Sequence, residues 1–280
     1  MMLPPSPFRR LSDISIDSLS VEVLRTGFSC LDEAMFLKKG LPELVTVAAG
    51  SSHGKSALML QIGAHIARTA PVYMFSLEMD DRALKTRLLS QVSGIRSKDI
   101  KLGLAKRSEL EKAEKELQKL NLSIEALGRT DIGTIVDHIQ RYAAPNQPGL
   151  IILDYLQYLT GPTASARTYE IAYALKQLKS VAKVAGCPIL MGAQLNRNYV
   201  SRGKAQEAES GFADYTPSLI DLRDSSSIEH DSDAILFISR PEQIDGSRKG
   251  EAHLSLAKNR EGELGKWTIR WEGRTCSFRE

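Results

Sequence analysis

Short apolar runs alternate along this chain with segments whose apolar positions recur every three or four residues. The runs are Val45 to Ala49, Pro71 to Leu77, Leu122 to Ala126, Leu150 to Asp154, Pro188 to Ala193 and Asp233 to Ser239. Several carry no polar alternation, as strands buried on both faces of a parallel sheet require. Helical spacing falls between them, over Ala57 to Ala67, Asp80 to Val92, Asp131 to Ala143 and Thr168 to Ala185. A further helix is expected over the charged stretch Ser108 to Leu120, opened by a Ser108-x-x-Glu111 capping box. Thr26 to Leu41 predicts a short helix closed at Gly40. Near the end, Ala252 to Lys258 and Lys266 to Trp271 alternate apolar and polar residues, the pattern of an antiparallel hairpin. The expectation is an α/β fold with a mostly parallel central sheet flanked by helices and a C-terminal antiparallel hairpin.

Two regions lack periodicity. Residues 1 to 24 are rich in Pro, Ser and charge and predict an arm or linker, leaving 25 to 280 as one domain. The arm is either a frayed terminus or a tether that docks on a neighbouring subunit through Phe8, Leu11, Ile14 and Leu19. Asn196 to Asp221, with Arg197, Arg202 and Lys204, is the longest aperiodic stretch, and such loops in compact domains are usually functional or disordered.

Composition narrows the class without naming a chemistry. At 280 residues and 42% hydrophobic, the chain can bury a full core. The net charge of +3, from 37 basic and 34 acidic residues, gives no global field for a nucleic acid, so any such contact must be local. Cys30, Cys187 and Cys276 stand far apart, which argues against a zinc site or disulfides and predicts reduced, mostly buried thiols. Asp154 interrupts the longest apolar run, and the prolines of MMLPPSPFRR do not suit a signal peptide, so the expectation is a cytoplasmic protein with no membrane span.

The chemistry starts at Val45 to Leu58, VTVAAGSSHGKSAL, an apolar strand running through small residues into a helix. That is the layout of a phosphate loop, with Ala49 where the strict pattern has glycine. Nucleotide phosphates are expected along Gly50, Ser51, Ser52, His53, Gly54, Lys55, Ser56 and Ala57, with Lys55 on the outer phosphates and Ser56 on Mg²⁺. Leu150 to Asp154, LIILD, has the Walker B pattern, whose acid orders the magnesium. Glu78, at a strand end beside the loop, fits either a carboxylate that activates water or an acidic neighbour of a helix start. Gln194 likewise fits a γ-phosphate sensor or an ordinary strand cap. Small polar residues surround Arg223 in DLRDSSSIEHD, which suits phosphate contacts. The turn Asn259-Arg260-Glu261-Gly262 presents Lys258 and Arg260, either as a solvated basic turn or as a charge-stabilising finger for another subunit.

Taken in order, the blocks TGFSCLD, AAGSSHGKSAL, FSLEM, LIILDYLQ, EIAYALKQLKSVAK, AQLNR, DLRDSSSIEHDSDAILFISR and AKNREGELG resemble the C-terminal RecA-like motor domain of DnaB-type replicative helicases. The resemblance runs over roughly residues 25 to 280. It implies that Lys55 and Ser56 bind phosphate and Mg²⁺, Glu78 is the catalytic glutamate and Asp154 the Walker B acid. It also makes Gln194 the phosphate sensor and Lys258 with Arg260 a piston and arginine finger acting in trans. DNA-facing loops are implied at Gly161 to Arg167 and around Arg223, Asp224 and Ser226. The family's loop tends to carry alanine at the first position, as Ala49 does here. Ser225-Ser226 replaces the family's Ser-Gly, removing glycine's conformational freedom, and the loop up to Pro217 is longer than usual. The family's N-terminal collar has no counterpart in the two dozen or so residues before the motor. Expected, then, is a ring, by the resemblance a hexamer, that hydrolyses ATP with Mg²⁺ and moves on single-stranded DNA, with primase or a helicase loader as further partners. The alternative is a RecA-like ATPase used as a switch, loader or recombination accessory without unwinding.

Overall fold

The computed structural model describes residues 15, 19–162, 166–196, 198–202, 215–222 and 225–280. Phe8, Leu11, Ile14, Arg197, Lys204, Arg223 and Asp224 lie outside them, while Leu19 is described and exposed.

In chain order the strands are β1 (Leu44–Ala49), β2 (Val72–Ser76), β3 (Leu122–Ala126), β4 (Thr130–Asp131), β5 (Leu150–Asp154), β6 (Leu159–Thr160), β7 (Ile189–Gln194), β8 (Ala234–Ser239), β9 (Glu251–Asn259), β10 (Gly265–Glu272) and β11 (Ser277–Arg279). Nine of them form one sheet in the order β11-β10-β9-β8-β1-β7-β5-β2-β3, and β4 pairs with β6 alone. From β8 to β3 every pairing is parallel, and from β8 to β11 every pairing is antiparallel. The expected hairpin is therefore extended by a third antiparallel strand, β11, too short to stand out in the sequence.

Helices α1 (Ser29–Glu33), α2 (Lys55–Ile66), α3 (Asp81–Ser93), α4 (Ser97–Lys101), α5 (Arg107–Leu117), α6 (Ile132–His138) and α7 (Arg167–Ala185) precede β7. Alternate strand residues feed two separate cores, as the two-residue period of a strand requires. Leu150 and Ile152 pack with Leu58 and Ile62 of α2, while Ile151 and Leu153 pack with Ile135 of α6 and Leu175 and Leu178 of α7. The result is a helix–sheet–helix sandwich, and it explains why LIILD carries no polar residue until its end.

Some local expectations fail. Helix α5 opens at Arg107, one residue before Ser108, and no side chain caps it. Glu111 pairs instead with Arg107, at 2.9 Å, so the capping box does not form. The helix expected up to Gly40 is only the five residues of α1, and the chain then turns through Met35 at φ 54°. Helix α4 was not anticipated, because five residues with a single apolar side chain, Ile100, carry no readable period.

Register places the strand ends. Ala49 lies beside Gln194 and Ser76 beside Asp154, so the loop after β1, Glu78 just beyond β2, Asp154 and Gln194 all gather at the carboxyl edge of the parallel strands. Such an edge, where strand order reverses, is where open α/β sheets bind ligands.

Candidate active site

The loop 50–54 enters α2 through Gly54, whose φ of 97° is left-handed. A side chain there would be strained, and its Cβ would also fall 2.6 Å from Phe278 Cζ. At Gly50 a Cβ would fall 2.6 Å from the Tyr199 hydroxyl. The glycines thus keep the loop tight against its supports. Helix α2 starts at Lys55, so its first N–H groups lack intrahelical acceptors and its positive end faces the loop. Above them opens a cavity of about 460 Å³, lined by Gly50, Ser51, Ser52, Gly54, Lys55, Ser56 and Ala57 together with Glu78, Arg87, Tyr155, Gln194, Trp271 and Cys276.

His53 departs from the expectation that it meets phosphate. It does not line the cavity, and its backbone N–H is spent on the Gly50 carbonyl at 3.3 Å. Its buried ring accepts the Arg240 backbone N–H at Nδ1, 2.8 Å away, and reaches the Tyr199 hydroxyl at 3.3 Å through Nε2. Burial, with the Arg240 charge second, lowers its pKa to about 4, so the ring is neutral at pH 7. A neutral ring accepting at Nδ1 carries its proton on Nε2 and donates to Tyr199. His53 therefore props the loop from below. Arg240 adds a second prop, donating to the Ser52 carbonyl at 3.0 Å and stacking 4.4 Å from the Trp271 ring.

At the cavity floor Lys55 Nζ meets Asp154 Oδ1 and lies 4.0 Å above the Tyr155 ring. Asp154 is fully buried, and its other oxygen, Oδ2, has no partner among the described residues. A buried carboxylate oxygen without a donor carries a desolvation cost that a cation or its water would relieve. That orphan atom, on the carboxylate that meets Lys55, is the feature that fits Mg²⁺. Glu78 is exposed on the cavity rim. Gln194 accepts weakly from the Tyr155 hydroxyl, at 3.4 Å, and its backbone N–H donates to Gln157.

A profile of the DnaB-like helicase C terminal domain matches residues 23–280. The chain belongs to that DnaB-like family. It is 32% identical over 272 residues to the replicative DNA helicase DnaB of Haemophilus influenzae, covering 90% of this chain and 54% of that protein. To a probable plasmid replicative DNA helicase of Chlamydia psittaci it is 30% identical, over 92% of this chain and 56% of that protein. The chain thus spans about half the length of these relatives. Among solved structures, the ATPase domain of G40P superposes with a TM-score of 0.84 at 25% identity, over 95% of this chain and 94% of that one.

Other residues of this DnaB-like domain sit away from the cavity. Asn259 pairs with Ala234, which pairs with Val45, so Lys258 and Arg260 lie at the amino edge of the parallel strands. At about 3.3 Å per residue, the length of β1 separates them from their own phosphate loop by more than about 13 Å. There Arg260 binds Asp233 at 2.8 Å and the His230 carbonyl at 3.0 Å, and Lys258 binds the Glu229 carbonyl at 2.5 Å. Ser226 is exposed on the short helix Ser225–Asp231. Arg167 departs from its expected DNA-facing role: it donates to the carbonyls of Leu159 and Gln157, both at 2.7 Å, and to Glu170 at 2.6 Å. Its guanidinium ties the start of α7 to the carbonyls of Gln157 and Leu159.

Sequence reading passed over Gly192. A Cβ there would come within 2.9 Å of both Lys55 Nζ and Tyr155 Cβ and 3.0 Å of Asp154 Oδ1. Glycine inside an apolar strand often marks such a close approach, and that was the available signal. Trp271 and Cys276 were missed because they reach the cavity from the antiparallel edge, more than 200 residues after the loop. Of the three thiols only Cys187 is fully buried.

Proposed function

We propose that this chain is the ATP-hydrolysing motor of a ring-forming replicative DNA helicase that moves on single-stranded DNA in the cytoplasm. The observation that carries the reading is the placement of the cations: Lys55 faces the cavity, while Arg260 stands at the opposite edge of the same sheet. In a head-to-tail ring, a hexamer by resemblance, that edge would meet the cavity of the next copy. ATP phosphates would lie on the backbone of loop 50–54 and α2, with Lys55 at the outer phosphates. Ser56 and Asp154 would hold Mg²⁺, which when bound neutralises phosphate charge. Glu78 would orient and deprotonate the attacking water, Gln194 would sense the γ-phosphate, and Arg260 with Lys258 would stabilise charge from the neighbour. Loop 161–167 and residues Arg223 to Ser226 would face DNA, and primase or a loader would bind the assembled ring. One domain, from about residue 25, carries all of this.

The switch or loader alternative shares the ATPase but predicts no unwinding. Support for the motor comes from relatives named as replicative helicases on two sides, cellular and plasmid. A forked-duplex assay with Lys55→Ala as control decides. Unwinding that needs ATP and Lys55 supports the motor; ATPase without unwinding or stimulation by single strands overturns it.

A further inference from the structure

Three cations converge on one short stretch at the amino edge of the sheet. Lys258 donates to the carbonyl of Glu229, Arg260 to that of His230, and Lys179 of α7 to that of Asp231 at 3.2 Å. These carbonyls close the helix Ser225–Asp231, where positive charge is favoured. The carboxylate among them is Asp233, whose Oδ1 accepts from Arg260 Nη1 at 2.8 Å and Lys179 at 3.4 Å.

Asp233 is fixed on every side. Its Oδ2 accepts the Leu44 N–H at 2.9 Å, its own N–H donates to the Leu44 carbonyl at 2.7 Å, and its carbonyl accepts the Arg260 N–H at 3.0 Å. Only 12% of its side chain is exposed, against 46% for Arg260. One residue therefore holds both the backbone and the guanidinium of Arg260 and ties them to the root of β1. Two of the five guanidinium N–H donors go to Asp233 and His230, and the exposed remainder is presented outward.

We propose that Asp233 is a positioning residue for Arg260, setting the guanidinium for the nucleotide held by the neighbouring copy. This rests on the reading of Arg260 as a finger acting in trans. A long side chain aimed by a buried carboxylate loses less freedom when it meets the phosphate, and misplacement of about 1 Å can cost on the order of 100-fold in rate.

The test is a double-mutant cycle on the assembled full chain, reading kcat and KM for ATP. Asp233→Asn keeps one oxygen for the Leu44 N–H, so the root of β1 stays capped. Arg260→Ala is expected to lower kcat about 10³-fold, and Asp233→Asn about 10- to 100-fold with KM changed less than about threefold. The double variant should be no slower than Arg260→Ala, and Asp233→Glu should recover part of the loss. If the two losses multiply in the double variant, Asp233 acts through general stability and the inference is overturned while the finger stands. If Arg260→Ala leaves kcat intact, the finger reading itself is overturned, and the inference with it. Thermal unfolding of Asp233→Asn is the second readout: a kcat loss that disappears once the assay is cooled well below its transition also overturns positioning.

Discussion

A cation on a buried carboxylate occurs at both ends of β1, and the two pairs differ in how they meet solvent. Lys55 and Asp154, at the carboxyl edge, have side chains 10% and 0% exposed, whereas Arg260 and Asp233, at the amino edge, stand at 46% and 12%. Both anchor a positive charge to the same strand. The first closes a cavity already built around it, and the second presents a guanidinium to whatever molecule lies outside. On the proposed reading one subunit carries a socket at one end of a strand and a plug at the other, with the strand too long for the plug to reach its own socket.

The sharpest way to break that comparison is to mix two defective subunits. Lys55→Ala destroys the socket and Arg260→Ala the plug, each lowering ATP hydrolysis by about 10³-fold when alone. Random co-assembly pairs an intact socket with an intact plug at about a quarter of interfaces, so activity should return toward that fraction of wild type. No recovery on mixing would mean that both residues serve the same copy.

The socket is also the acid-sensitive end. His53 in the unfolded chain takes up a proton near pH 6.5, but in the folded protein only near pH 4, so acidification favours the unfolded chain across that window. The cost reaches ~3 kcal/mol by pH 4 and is absent above pH 6.5. Urea unfolding at pH 7, 5.5 and 4.5 should show this slope, and His53→Gln should flatten it. Hydrogen exchange in loop 50–54 should rise with acid before exchange at the Leu44 and Arg260 amides, which belong to the Asp233 cluster. An equal response at both edges would count against the prop assigned to His53.

Gly192→Ala tests how tightly the socket is packed. The added methyl meets Tyr155 Cβ at 2.9 Å, an atom fixed to the backbone, and can be relieved only by moving Tyr155 or the strand. We expect ~1–3 kcal/mol of destabilisation and a kcat loss larger than the rise in KM, because Lys55 and Asp154 shift together. Gly262, in the Arg260 turn, is packed as closely, a Cβ there falling 2.3 Å from the Ala34 carbonyl oxygen, but it lies at the other edge of the sheet, so Gly192→Ala subunits should still stimulate an added Arg260→Ala partner. Loss of that stimulation would show that the two ends are not independent.

The socket was legible in the sequence because its parts are local: an apolar strand that runs into a small-residue loop or ends on a polar side chain marks the edge of a sheet, so Ala49, Asp154 and Gln194 stand out by position. Arg260 had two readings from its residues, a solvated basic turn or a finger, and only the resemblance chose between them, since a basic turn carries no period of its own. What stayed hidden depends on contacts between distant residues. His53 reads as one more loop residue until Arg240, 187 positions on, donates its N–H to the ring. Ser108 reads as a helix cap until Arg107 proves to take Glu111 into its own turn. Trp271 reads as a strand residue and Arg240 as the residue after one until the fold brings them beside and under the phosphate loop.

Arg167 gives the smallest expected effect and the finest distinction. Like Arg260, it binds backbone carbonyls and a carboxylate, but its partners Gln157, Leu159 and Glu170 flank the loop on both sides and its side chain is 33% exposed. A phosphate contact and a loop clamp predict different salt dependence for binding to single-stranded DNA. Removing a direct contact lowers the slope of log K against log salt by about 0.7 for a single strand. Removing a clamp loosens the loop's remaining contacts and weakens binding severalfold with the slope unchanged. The structure favours the clamp, so Arg167→Ala should shift the salt titration in parallel, and Arg167→Lys, which cannot bridge two carbonyls and Glu170 with one ammonium in the same fork, should rescue little. A reduced slope with full rescue by lysine would make Arg167 a phosphate contact, and the exposed cation would then belong to both edges of the sheet.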